Sequence, residues 1–209
     1  MKYPDFMDYN LAISIGLDGH EVVNVNGTSN LNFYNGDSVL FISSSSDLDD
    51  YNNEGAQVVQ INFLTDNYNE SSIEIELNGQ QPIELDSIHR INSIEVVQAG
   101  EYRSNDGKIS IYDFDRVYHE ILPGQNKSSS CNYSVPLECC GYIYYMQALE
   151  QDNFDVYIEE DGILAKVFSF TNFMKFKVPY KVLPGSDIII KSENGSRCMY
   201  QLVLIEEVI

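Results

Sequence analysis

Apolar residues recur at every second position along most of this chain, and that period decides what it can fold into. Val59-Gln60-Ile61-Asn62-Phe63, Ile73-Glu74-Ile75-Glu76-Leu77 and Lys108-Ile109-Ser110-Ile111-Tyr112 alternate in this way, as does Leu11-Ala12-Ile13-Ser14-Ile15. Ser186 to Ile190 and Tyr200 to Leu204 follow the pattern less cleanly. Successive side chains of an extended strand point to opposite faces, so alternation of this kind marks strands with one buried face. Turn signals separate the runs: Asn26-Gly27, Asn35-Gly36-Asp37, Asn78-Gly79, Asp106-Gly107, Asp161-Gly162, Pro184-Gly185 and Asn194-Gly195. Asn-Gly and Asp-Gly tolerate the positive φ of tight hairpins. About fifteen strands fit, at the spacing of sandwiches and barrels. The best helical stretch, around Gly141 to Gln151, is rich in tyrosine and has no N-cap, so it reads as a strand over Tyr142 to Leu149. Without helices between strands, a parallel nucleotide-binding sheet is excluded.

The expected architecture is all-β, with two β-sandwich modules. The first spans 1–100. The second, 101–209, holds about eight strands and is jelly-roll-like. A short join over Glu101 to Gly107 implies docked modules.

Lys and Arg total 12 against 32 Asp and Glu, a formal charge of −20. Such a chain repels polyanions, so nucleic acid is not expected as its principal ligand. A local basic patch would have to lie at Arg90 or between Lys175 and Lys181. The longest apolar run, Tyr142 to Met146, is far too short for a membrane helix. No secretory signal is read after Met1, which implies synthesis in the cytoplasm.

No chemistry converges in the sequence. His20, His89 and His119 stand apart, outside any metal-binding spacing, and read as structural. No P-loop, G-x-G-x-x-G or nucleophile elbow occurs, so no catalytic residue and no cofactor is expected. Cys131, Cys139, Cys140 and Cys198 include no C-x-x-C pair, and the adjacent two point to opposite faces of a strand. They read as buried thiols rather than zinc ligands, with a disulfide open to them outside a reducing compartment. The loop from Asp47 to Gly55 begins like an EF-hand when read from Asp50, but Ile61 occupies the position that requires glutamate. A looser Ca²⁺ site of Asp47, Asp49, Asp50 and Glu54 remains as a candidate beside a solvated loop. Tyr142, Tyr144 and Tyr145 lie on one strand, with Tyr142 and Tyr144 expected on the same face, as a subunit contact or a glycan platform.

The order of turns and strands carries a resemblance. Gly55-Ala56-Gln57-Val58-Val59-Gln60-Ile61 leads to Asp66-Asn67-Tyr68-Asn69-Glu70, then Leu77-Asn78-Gly79, Arg90-Ile91-Asn92 and Ala99-Gly100. Pro123-Gly124, Tyr133-Ser134-Val135-Pro136 and Leu183-Pro184-Gly185 continue it. Over nearly the whole chain this pattern resembles a family of virion-associated structural β-sandwich proteins from marine tailed phages and related viruses. The Asp66 to Glu70 turn is one residue shorter than that pattern, and this chain is more acidic. The resemblance implies a structural component of a virus particle, located in the virion. It would be an accessory protein on the capsid surface, a decoration, head fibre or knob, with a neck or tail position as the alternative. Its partners would be copies of itself and other virion proteins. A carbohydrate- or host-receptor-binding module is the competing expectation.

Overall fold

The computed structural model describes residues 20–28, 32–34, 36, 38–127 and 131–206. The run expected at Leu11 to Ile15 lies outside them. The described residues form fifteen strands and no helix. In chain order these are β1 (His20–Thr28), β2 (Leu40–Ser44), β3 (Ala56–Leu64), β4 (Glu70–Glu76), β5 (Ile83–Leu85), β6 (Arg90–Ala99), β7 (Ile109–Tyr112) and β8 (Val117–Ile121). They continue with β9 (Tyr133–Ser134), β10 (Cys139–Ala148), β11 (Phe154–Glu160), β12 (Ile163–Phe170), β13 (Phe173–Val182), β14 (Asp187–Ser192) and β15 (Arg197–Glu206). The period-two runs in β3 and β7 become half-buried strands as expected, whereas β4 is exposed along almost its whole length. In β2, Leu40, Ile42 and Ser44 are buried while Phe41 and Ser43 are partly exposed.

Two sheets enclose each of two cores, and every strand pairing is antiparallel. The first core lies between β5-β2-β7-β8 and β4-β3-β6. Leu40, Ile42, Ile61, Ile94, Ile109, Ile111 and Ile121 fill it, each fully or almost fully buried. The second lies between β1-β15-β10-β13 and β12-β11-β14-β9. Its members include Ile143, Met146, Phe154, Val156, Tyr200 and Leu202.

The second module is an eight-stranded jelly roll. The hairpin β11–β12 is innermost, and around it β10 pairs with β13, β9 with β14, and β1 with β15. Such nesting is what a long antiparallel hairpin produces when it rolls up into two facing sheets. The outermost pair brings residues 20–28 onto the C-terminal strand, with His20 opposite Ile205 and Thr28 opposite Arg197. The first module is therefore inserted between the first and second strands of the roll.

This corrects the expected boundaries of 1–100 and 101–209. β7 pairs with β2, and β8 pairs with β7, so the first module's sheet continues past Gly107. The chain changes cores between Ile121 and Cys131. Asn26-Gly27 is also not a turn: both residues sit inside β1, opposite Met199 and Cys198. Asp161-Gly162 does make the expected tight hairpin. Both have positive φ, 50° and 76°, and join β11 to β12 with Glu160 opposite Ile163.

The modules are locked together by buried polar side chains. Arg90 donates through Nε to Asp187 at 2.9 Å, across the boundary between cores. Its guanidinium also donates to the Tyr68 hydroxyl at 3.3 Å and lies over the Phe33 and Tyr68 rings. Asn92 donates to the Ser134 carbonyl at 3.0 Å and accepts from the Ser134 amide at 2.8 Å. The Asn92 amide thus gives the edge strand β9 what a neighbouring strand would.

Candidate functional site

The acidic loop is a structural clasp. Asp49 is fully buried, and both its carboxylate oxygens are engaged. Oδ1 accepts from the amides of Ala56 and Asp106, each at 2.8 Å. Oδ2 accepts from the Gly107 amide at 2.8 Å and from the Ser44 hydroxyl. A solvated loop would leave these oxygens to water, and a Ca²⁺ site would need them for the ion. The other three acids lie nearer the surface, Asp47 and Glu54 exposed and Asp50 partly so. Asp50 accepts from the Asn52 amide at 2.9 Å. Asp47 is held through its carbonyl, which accepts from the Asn53 side chain at 3.0 Å. Glu54 lies against Tyr102, and its charge raises that phenol's pKa above the ordinary value. Among the described residues, no three His, Cys, Asp or Glu side chains gather where a metal ion could sit.

The histidines are placed separately. His119 is buried on β8, and its Nε2 lies 3.1 Å from the Ile91 carbonyl. A carbonyl only accepts, so Nε2 carries the proton. Burial lowers its pKa to about 4 against that hydrogen bond, leaving the ring neutral near pH 7. His89 stacks edge-on against Tyr68 and lies 3.8 Å from Asp66. His20 belongs to β1.

Of the two places where a basic patch could lie, Arg90 is buried in the lock with Asp187. The other is on the surface. Residues 162–186 hold Lys166, Lys175, Lys177 and Lys181 and not one Asp or Glu. Lys166 pairs with Asp155 at 2.7 Å. The other three project from β13, an edge strand of the jelly roll, and are exposed.

This strand runs beside the three tyrosines, and a bulge decides how they face. On β10, Ile143 and Met146 both point into the core, opposite the buried Leu202 and Tyr200 of β15. Two inward residues three apart break strict alternation, and the register shifts between Ile143 and Tyr145 on both sides. Tyr144 is the extra residue. Tyr142 and Tyr145 consequently share the outer face, where the sequence alone paired Tyr142 with Tyr144. Directly across on β13, Lys181 stands opposite Tyr142 and Lys175 opposite Tyr145. The Lys181 ammonium is 6.0 Å from the Tyr142 ring centre, a cation–π distance. Phe173, 58% exposed, packs edge-on against Tyr145 with ring centres 5.0 Å apart. Partial burial raises the Tyr144 and Tyr145 phenols, and Tyr142 adds to the effect at Tyr144, so these two stay protonated near pH 7.

No protein-family model matches this chain, and no curated protein matches its sequence.

Phe173, Lys175 and Lys181 are the members of this face that strand periodicity did not single out. A signal existed, since lysines without acids are conspicuous in a chain of charge −20. What this face offers chemically is contact: phenol rings, an exposed phenyl ring and ammonium groups held on two hydrogen-bonded strands.

Proposed function

We propose that this chain is a structural component of a virus particle, an accessory protein on the capsid surface (a decoration, head fibre or knob) that acts through protein–protein contacts. The observation that carries this reading is the Tyr142, Tyr145, Phe173, Lys175 and Lys181 face. It is an aromatic and cationic surface on a strongly acidic chain whose buried Asp49 is engaged internally. Tyrosine and phenylalanine are residues that interfaces favour. The turn-and-strand order resembling virion-associated proteins supports the same reading. By fold analogy so does the jelly roll, an architecture of viral capsid and lectin domains. The partners on this reading are copies of this chain and other virion proteins.

Quantitative mass spectrometry of purified particles tests the proposal. The chain is expected at many copies per particle, and absence from washed particles would end it. Lys175→Glu with Lys181→Glu, made on the surface and away from both cores, is expected to weaken attachment to particles lacking the protein at least tenfold.

The same face favours a second reading, a module that binds a host-surface glycan. Tyrosine rings stack on sugars, and the ammonium groups would select acidic ones. A glycan array, with and without Ca²⁺, separates the two: retention of a glycan that Tyr142→Ala abolishes favours this reading, and no retention under any condition removes it.

A further inference from the structure

Two of the four cysteines meet in the core of the jelly roll. Cys131 lies just before β9, in the segment whose next residue, Asn132, accepts from the Ile190 amide at 3.3 Å. Cys198 lies near the start of β15, in the opposite sheet. Both are buried, at 1% and 0% exposure, and their sulfurs are 3.1 Å apart. We propose that Cys131 and Cys198 are a disulfide-forming site, whose oxidation by a small-molecule disulfide staples one sheet of the jelly roll to the other. The inference does not depend on the function proposed above.

Geometry selects this pair. The sulfurs need about 1 Å of further approach to reach bonding distance, which small torsional changes supply. The alternatives are remote. Along the β10–β15 ladder, Cys139 stands opposite Glu206 and Cys140 opposite Ile205, while Cys198 stands opposite Ala148. Nine residues of strand separate Cys139 from Ala148, roughly 30 Å at the rise of an extended chain. Neither Cys139 nor Cys140 can therefore reach Cys198. The sequence allows three pairings of four cysteines, and the fold brings Cys131 and Cys198 together.

The chemistry balances as two thiol–disulfide exchanges. One cysteine thiolate attacks a sulfur of the small disulfide, forming a mixed disulfide and releasing one small thiolate. The second cysteine thiolate attacks the protein sulfur of that intermediate and displaces the second. Two protein thiols are oxidised to one cystine, the small disulfide is reduced to two thiols, and the two protons leave with them. In the folded chain the hydrogen bond to Cys131, together with burial, raises the Cys198 pKa and suppresses its thiolate. Oxidation is therefore expected to be slow on the native protein and fast while the chain is folding or locally open.

The test uses the full chain. It is refolded with oxidised glutathione, then denatured, alkylated without reduction and digested for mass spectrometry. The expected result is a peptide linking Cys131 to Cys198, two hydrogens lighter than the reduced pair, with alkylation confined to Cys139 and Cys140. The oxidised protein should melt on the order of 10 °C above the reduced one, because the bridge closes a loop of 67 residues. Alkylation of all four cysteines, or a linkage involving Cys139 or Cys140, would overturn the proposal. Unchanged melting with the bridge present would overturn the stapling.

Discussion

Asp49 shows how one residue can decide the shape of a region. Its carboxylate holds the end of β2 through Ser44, the start of β3 through Ala56, and the turn before β7 through Asp106 and Gly107. The clasp requires Gly55, because a Cβ there would lie 2.2 Å from Asp49 Oδ1. Asp49→Ala leaves three amides and a hydroxyl without an acceptor in a buried place. A loss of about 3–5 kcal/mol is expected, read as the change in unfolding free energy in urea. A loss below about 1 kcal/mol would show that water replaces the carboxylate. His119 makes a pH-dependent contribution of definite sign. An unfolded histidine takes up its proton near 6.5, the folded one only near pH 4. Between those values the unfolded state binds more protons, so stability falls as pH falls from 6.5 towards 4, and is fully present above 6.5. The full effect is about 3 kcal/mol. Urea unfolding at pH 7 and pH 4.5 should show this loss, and His119→Gln should lessen it. An identical pH dependence in the variant would contradict the assignment.

At the scale of the element, the jelly roll's edges are managed in two ways. β9 is a two-residue edge strand, and Asn92 of the other module completes its hydrogen bonding. Asn92→Leu removes both bonds while keeping similar volume. It should cost about 2 kcal/mol, and faster hydrogen exchange at the Ser134 amide would locate the loss there. β13 is blunted differently, by Lys175, Lys177, Lys181 and Pro179, the residue types that stop an edge from pairing without control. The contact proposed for this strand is therefore made through its face and side chains rather than by adding a strand. The bulge at Tyr144 serves that face, since it turns Tyr145 outward beside Phe173.

Across the whole molecule, a buried ion pair joins the two modules. Arg90 and Asp187 are both nearly fully buried and lie on opposite sides of the junction. Burial raises the Asp187 pKa, and the Arg90 charge and its hydrogen bonds work against that rise. Removing one partner strands the other charge away from water, so Asp187→Ala should destabilise the protein by about 3–5 kcal/mol. Arg90→Met combined with Asp187→Leu strands neither and should be much milder. A double-mutant cycle in urea measures the difference, and equal losses from the single and double changes would refute the lock.

Periodicity and turn chemistry are local, and whatever depends on them was legible in the sequence. The all-β class, the half-buried strands β3 and β7, the strand nature of β10 and the Asp161-Gly162 hairpin all follow from neighbours a few residues apart. What depends on distant partners was not. Asn26-Gly27 looks like a turn until Met199 and Cys198 pair with it, and the module boundary moves once β7 finds β2. Asp49 looks like a calcium ligand until Asp106 and Gly107, 57 and 58 residues away, turn their amides to it. Tyr145 changes face through a register shift that no alternation records. Arg90 and Asp187 meet across 97 residues, and Cys131 and Cys198 across 67. Local sequence sets which segments extend and where they turn. Only the packing of sheets against one another decides which side chains a buried charge or thiol will meet.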